Sequence, residues 1–240
     1  MMGKAHLVIS TGLTLSALSL ADQEISLPVA AIAAVSSLLP DIDEPNSLLV
    51  SRAIPKQLIR IFQAVLLGAS AAVYYFGQDY APWNIVMAVL VAVISFLPSR
   101  TLRNIVMVLI GIGLFAFGDQ FAPWSYIAGS LLIIVSFLPH RGLTHSVYGL
   151  AAWTLLLYIA TYDQGDAYWM AGGLSYLLHL FPADSLTNHG IRPFPPFKWK
   201  LKLRIMSTGT WKGAMVEYLC MGATLAVVWF TFFQDQPIFS

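Results

Sequence analysis

The sequence contains little cysteine and little charge. Its 240 residues include one cysteine, Cys220, which lies inside an apolar run. A single thiol excludes a disulfide framework and a cysteine-based zinc cluster, so any bound metal must use histidine and carboxylate ligands. Charged residues are 10% of the chain and the formal net charge is +1, which excludes a strongly basic nucleic-acid-binding protein. No polar block is long enough to fold as a separate soluble domain.

Hydrophobic residues make up 58% of the chain, and its mean hydropathy is +0.71. In soluble domains about a quarter of the residues are charged, so this composition predicts an integral membrane protein. Apolar runs predict an all-α, polytopic membrane helical bundle of about nine hydrophobic segments. The segments are residues 5–20, 25–39, 57–76, 83–97, 104–117, 124–138, 146–161, 168–181 and 213–233. Several are shorter than the ~20 residues that span a bilayer, so some helices are expected to be tilted or re-entrant.

An internal repeat helps to define the organisation of the chain. Residues 76–104 align with residues 117–145 at an offset of 41 and share the strings FG, APW and SFLP. We predict a single integral membrane domain over residues 1–240, in which residues 57–138 are an insertion of duplicated helices. Small residues such as Gly111 and Gly113 could pack helices within one chain or between chains, which leaves the oligomeric state open.

The charges predict a topology. If the nine segments alternate across the bilayer, all thirteen Lys and Arg residues fall on one side, and the opposite loops carry only acidic charges. The positive-inside rule then makes the basic side cytoplasmic. We expect a multi-pass cell membrane protein with its N-terminus inside and its C-terminus outside.

All five histidines lie on this same predicted side, together with five carboxylates. The histidines are His6, His140, His145, His179 and His189, and the carboxylates are Asp41, Asp43, Glu44, Asp184 and Glu217. Such a set without thiolates suits Zn²⁺ or Mn²⁺ and leaves room for an activated water. Taken singly, the motifs that carry these residues also fit other structures. HRGLTHS opens a helix that Thr144 or Ser146 can cap, LPDIDEPNS fits a solvated loop, and HLFPADSLTNHG fits a helix end broken by proline.

Several motifs follow one another in a specific order. They are GKAH, LPDIDEPNS, HRGLTHS, YLLHLFPADSLT, RPFPPFKWK and the late Glu217. In this order they resemble the YdjM-like family of inner-membrane proteins, which are described as LexA-regulated, metal-dependent hydrolases. Two positions depart from the family pattern. Glu44 replaces a His, and Asp184 follows His179 by five residues rather than four with Pro182 between them, so a bulge or break is needed to bring the two together.

The family pattern is similar, more distantly, to the zinc-dependent phospholipase C and P1-type nuclease superfamily. This resemblance implies the following metal ligands, with His140 and His145 as alternatives at one position: His6, Asp41, His140, His145, His179, Asp184 and Glu217. Gly213 stands where that superfamily has a further His. We therefore expect one or two divalent ions, with zinc favoured and manganese second.

These residues lead to the hypothesis of a membrane-bound hydrolase that uses a metal-activated water on a phosphoester. In it, Asp41 or Asp43 serves as base or bridging ligand, and Arg141 holds a phosphate oxygen. The stretch KWKLKLR, residues 198–204, predicts an interfacial segment that either recognises phospholipids or serves only as a membrane anchor. A cytoplasmic site at the level of the headgroups favours membrane lipids as partners and a lipid phosphoester as substrate, and makes nucleic acid a poor candidate. The alternative is a non-catalytic structural or regulatory membrane protein with a metal-stabilised polar site.

Overall fold

The described part of the chain is helical, as predicted. The computed structural model describes residues 1–44, 47–138 and 142–233, apart from the side chain of Pro182. Within these ranges the regular structure is helical, with two isolated β-bridges. The α-helices are α1 Gly3–Leu20, α2 Leu27–Ser36, α3 Leu48–Ala53, α4 Lys56–Phe76, α5 Trp83–Ser95, α6 Ser99–Phe117, α7 Trp124–Phe137, α8 Val147–Ala160, α9 Asp166–Leu178 and α10 Trp211–Phe233.

Each of the nine predicted segments falls on one of these helices, and α3 is an additional short helix. Three of the described helices, α4, α6 and α10, are long and apolar enough to cross a membrane. Four further apolar helices, α2, α5, α7 and α8, are shorter than a bilayer span. Helix length and composition therefore identify three candidate spans in the described residues, rather than nine.

The first of two compact units consists of Met1–Leu49 and Leu138–Ser240. Within it, α1 packs against α2, α9 and α10, while α9 also packs against α2 and α8. Hydroxyl groups cap helix starts in this unit, for example at α2 and α8. The Ser26 hydroxyl accepts the Val29 amide at the start of α2, and the Ser146 hydroxyl accepts the Gly149 amide at the start of α8. The Ser146 cap is one of the two that the sequence predicted for α8.

The second unit, Val50–Phe137, contains nearly all of the predicted insertion. It consists of two helical hairpins, α4–α5 and α6–α7, which repeat at the offset of 41 residues seen in the sequence. In the first hairpin the Gln63 amide nitrogen donates to the Ser95 carbonyl at 3.0 Å. In the second, Asn104 donates to the Ser136 carbonyl at 2.9 Å. The structural repeat therefore begins earlier than the sequence repeat at residue 76.

The two hairpins differ where their helices approach most closely. In the first, the Ser70 hydroxyl donates to the Ala88 carbonyl at 2.7 Å. The equivalent positions of the second hairpin are Gly111 and Gly129, and a methyl group on Gly111 would lie 2.8 Å from the Gly129 carbonyl oxygen. These two glycines therefore allow α6 and α7 to pack backbone against backbone. Gly113, in contrast, faces open space.

We therefore predict opposite effects for two glycine substitutions on α6. Gly111→Ala should lower the free energy of unfolding by about 1–3 kcal/mol, because its methyl group overpacks the contact with α7. Gly113→Ala should leave it unchanged or raise it by up to about 1 kcal/mol, because alanine favours the helix and meets no neighbour. Denaturant unfolding of both variants in detergent measures this difference, and equal stabilities would contradict the packing described.

Candidate metal site

Five of the predicted ligands lie together in the first unit. They are His6 in α1, Asp41 in the 3₁₀ turn Leu39–Asp43, His145 in the turn Leu143–His145, and His179 and Asp184 in the turn His179–Asp184. Four of these side chains are almost completely buried, and Asp41 is the exception, with 20% of its side chain exposed. The site thus consists of residues that immediately precede or follow helices, together with one residue inside α1.

The turn that follows α9 brings His179 and Asp184 onto the same side. Residues His179–Asp184 form a wide π-type turn, and Phe181 within it has a non-helical backbone, with φ −126° and ψ 116°. This is the bulge that the five-residue spacing requires, so that prediction is confirmed. As a result, His179 Nε2 lies 3.8 Å from Asp184 Oδ2.

The distances between possible ligand atoms suit a small divalent ion. His145 Nε2 lies 3.1 Å from Asp41 Oδ1 and 3.4 Å from Asp184 Oδ2. His179 Nε2 lies 3.9 Å from Asp41 Oδ1 and 3.8 Å from Asp184 Oδ2. A tetrahedral ion with bonds of 2.0–2.1 Å separates its ligand atoms by about 3.3–3.4 Å, so each of these His–Asp pairs lies near ligand spacing. Asp41 and Asp184 themselves belong to different ligand groups. Their two carboxylates also match the charge of one divalent cation.

The protonation of His179 is fixed by a backbone carbonyl. Its Nδ1 lies 2.7 Å from the Ser37 carbonyl oxygen. Because a carbonyl can only accept, Nδ1 carries the hydrogen and Nε2 of the neutral ring has a free lone pair. Nε2 is buried and has no hydrogen-bond partner among the described residues. An imidazole held in this way is typical of a metal ligand, and this buried nitrogen is the strongest indication that the site fits a metal ion.

A hydroxyl orients His145 in a similar way. The Thr144 hydroxyl donates to Asp43 Oδ2 at 2.9 Å, so its oxygen is left to accept from His145 Nδ1 at 3.2 Å. With Nδ1 donating to Thr144, Nε2 of His145 faces Asp41 and Asp184 and donates to them while the ring is protonated. Once that proton is lost, the Nε2 lone pair is available to a metal ion.

Asp43 therefore holds Thr144, the residue that orients the proposed ligand His145. The sequence had instead suggested that Asp43 is a base or a bridging ligand. The reason is the 3₁₀ turn, in which successive residues differ by about 120°, so that Asp41 and Asp43 point in different directions.

His6 extends the cluster on the side away from Asp41. Its ring stacks on that of His179, with centroids 3.8 Å apart, and its Nε2 lies 3.5 Å from Asp184 Oδ1. His6, His179 and Asp184 form one possible ligand group, and Asp41, His145 and His179 form another. His179 belongs to both groups but offers only one free nitrogen, so it can bind only one ion.

The pKa values of Asp41, Asp184 and His145 reflect the need of the two carboxylates for nearby positive charge. Burial opposes ionisation of Asp41 and Asp184, but the neighbouring imidazoles, His145 above all, hold the pKa of each carboxyl below its usual range. Burial also disfavours the charged form of His145, yet its hydrogen bonds to Asp184 and Asp41 raise the pKa of His145 to about 9. Two carboxylates thus retain their charge inside the protein by holding a proton on His145, and a metal ion is the natural substitute for that proton.

The remaining predicted residues have other positions. Glu217, which the resemblance implied as a ligand, accepts the Met2 amide at 2.9 Å at the start of α1, where backbone amides lack helical partners. It belongs to neither ligand group found in the described residues. His189 is exposed. His140 and Arg141, a predicted ligand and a predicted phosphate contact, lie outside the described residues.

Sequence analysis missed three contributors to the site. The Ser37 carbonyl leaves no trace in a sequence, because every residue has one. Thr144 was considered only as a helix cap, although its place directly before His145 was a usable signal. Tyr176, on α9, donates from its hydroxyl to the Thr144 carbonyl and so ties the His145 turn to that helix.

Comparison with known proteins agrees with the motif order. No curated protein and no solved structure is significantly similar to the chain. The family model described as YdjM inner membrane protein matches residues 1–235, which is nearly the whole chain. The chain therefore belongs to the YdjM inner membrane protein family.

Proposed function

We propose that this protein is a membrane-bound hydrolase that uses one divalent ion, preferentially zinc and otherwise manganese, to cleave a phosphoester in a phospholipid or a related headgroup. The single observation that carries the proposal is the buried Nε2 of His179, which has no hydrogen-bond partner in the part of the chain that the structure describes and lies at ligand spacing from Asp41 and Asp184. His145 lies at ligand spacing from both carboxylates. His145, His179 and Asp184 would therefore bind the ion, and Asp41 would face its open position. A bound ion there would supply Lewis-acid chemistry, polarising a phosphoryl oxygen and making a water more acidic.

The protein residues have distinct proposed roles around that centre. Asp41 is the most exposed member of the cluster, so a substrate can approach it, and we assign it the role of base. Asp184 is buried among the imidazoles and holds them in place. Asp43 and Thr144 orient His145. Arg141 remains our candidate for contact with a phosphate oxygen.

The family and the charge distribution support a lipid substrate. Membership of an inner membrane family and three candidate spans place the chain in a membrane. The positive-inside rule supports a cytoplasmic N-terminus and a cytoplasmic site, with the C-terminus outside. Membrane lipids are then the phosphoesters closest to the site, and the small net charge gives no support for nucleic acid.

A second candidate function is supported by the burial of the cluster. His6, His145, His179 and Asp184 are each no more than 2% exposed. Structural metal sites are closed in this way, whereas catalytic sites keep an open position. A metal-stabilised structural or regulatory protein is therefore the alternative, and turnover distinguishes it from the hydrolase.

The first test is turnover by the zinc-loaded or manganese-loaded protein in mixed micelles, followed as headgroup or phosphate release from phosphatidylglycerol. His145→Ala should lower the rate by at least about 100-fold, because it removes a ligand beside the proposed base. His189→Ala is the matched control, since His189 is exposed and outside the cluster, and it should keep the wild-type rate. Equal rates in folded wild type and His145→Ala would refute the hydrolase, and a wild type that binds metal without turnover would favour the structural function.

A second test concerns Thr144. Thr144→Val keeps the shape of the side chain but cannot accept from His145 Nδ1, so the zinc affinity should fall by about 10- to 100-fold. Thr144→Ser retains the hydroxyl and should bind zinc nearly as well as the wild type. Isothermal titration with zinc after chelator treatment measures both variants. Matching affinities for Thr144→Val and wild type would show that Thr144 does not orient a ligand.

A further inference from the structure

The segment between the site and α10 concentrates positive charge. Residues 185–216 contain six of the thirteen Lys and Arg residues and no acidic residue. Five of the six lie in residues 192–205, which we name the basic loop, and all five are exposed. They are Arg192, Lys198, Lys200, Lys202 and Arg204. No acidic side chain within the segment neutralises them, so the loop complements an anionic surface.

The same loop exposes large apolar side chains between its cations. Phe197, Trp199, Leu203 and Ile205 are each more than half exposed. From residue 198 to residue 204 basic and apolar residues alternate. In an extended backbone such residues project to opposite sides, which applies up to Leu203, since Arg204 has φ 56°. The apolar side of the loop then suits the boundary between lipid headgroups and hydrocarbon, and the basic side suits the phosphate groups of the headgroups. Tryptophan and lysine in this arrangement are typical of a membrane interface.

Backbone hydrogen bonds hold the basic loop next to the ligand-bearing turns. The Leu203 amide donates to the Ser185 carbonyl at 2.7 Å, directly after Asp184. The Val147 amide, two residues after His145, donates to the Pro193 carbonyl at 2.9 Å. Ile191 and Leu201 pair with each other through two bonds of 3.0 Å. The loop is therefore attached next to two of the four segments that carry the clustered predicted ligands, the turn of His145 and the turn of His179 and Asp184.

We propose that the basic loop is a binding surface for anionic phospholipid headgroups in the leaflet that it faces. The cations bind the phosphate groups, while Trp199 and its apolar neighbours enter the interface. This binding needs neither a metal ion nor turnover. Where the proposed hydrolase function also holds, the loop retains an anionic lipid beside the turns that carry His145 and Asp184.

Binding of short-chain lipids to metal-free protein in detergent tests the proposal, with phosphatidylglycerol and phosphatidylcholine as probes. The wild type should prefer phosphatidylglycerol. Since each cation at an anionic lipid surface contributes about fivefold in affinity, removing four should weaken phosphatidylglycerol binding by at least about tenfold. The loop variant combines Lys198→Gln, Lys200→Gln, Lys202→Gln and Arg204→Gln.

A matched control removes four exposed cations from the second unit. It combines Arg52→Gln, Lys56→Gln, Arg60→Gln and Arg100→Gln. The control should retain wild-type binding, because the proposal is specific to the basic loop. Equal weakening in both variants, absence of a preference for phosphatidylglycerol in the wild type, or tighter binding of a single-stranded oligonucleotide than of the lipid would each overturn it.

Fluorescence quenching tests the apolar side of the loop without altering its charge. In nanodiscs that contain brominated phosphatidylglycerol, part of the tryptophan emission should be quenched, and Trp199→Phe should reduce that part by the contribution of Trp199. Trp153→Phe is the control, because Trp153 is buried and donates to Ser36 inside the first unit. Unchanged quenching in Trp199→Phe would show that the loop lies outside the interface. Since no metal is present, a failure of hydrolase activity leaves this result unaffected.

Discussion

The Asp184 carboxylate is the group around which the first unit is arranged. One of its oxygens faces His6 at 3.5 Å, and the other faces His145 at 3.4 Å and His179 at 3.8 Å. A carboxylate that is 1% exposed is costly unless positive charge compensates it. Three imidazoles surround the carboxylate, and they provide this charge either by being protonated or by binding a metal ion. They come from α1, from the turn before α8 and from the turn after α9. The need to neutralise one buried charge thus joins segments that are distant in the sequence.

The helices could largely be predicted from the sequence, because apolar runs mark membrane-type helices directly. Their ends were less predictable, since hydropathy records the apolar part of a helix and not its full length. For example, α6 begins at Ser99 rather than at residue 104, because polar residues such as Arg103 belong to its first turns. Conversely, helix α2 is shorter than its apolar run. It ends at Ser36 rather than at residue 39, because the chain then forms the 3₁₀ turn Leu39–Asp43. The short helix α3 has no long apolar run and was missed.

The membership of the candidate site was predictable in part. The order of the motifs, through its resemblance to a known family pattern, implied the five side chains that lie together, although each motif alone also fits a helix cap, a loop or a broken helix end. The motifs could not show which side chains bind the ion and which only orient a ligand, since that depends on turn geometry and helix register. Asp43 reaches Thr144, and Glu217 reaches the start of α1. The Ser37 carbonyl, which fixes the His179 tautomer, is backbone and carries no sequence signal.

The central claim is that His179 and its neighbours hold one divalent ion, and metal content tests it most directly. Elemental mass spectrometry on detergent-purified wild type, His179→Ala and His189→Ala compares a proposed ligand with an exposed histidine. The account predicts about one zinc or manganese ion per chain in wild type and His189→Ala, and none in folded His179→Ala. Full metal content in His179→Ala, or no bound metal in any of the three proteins, would contradict it.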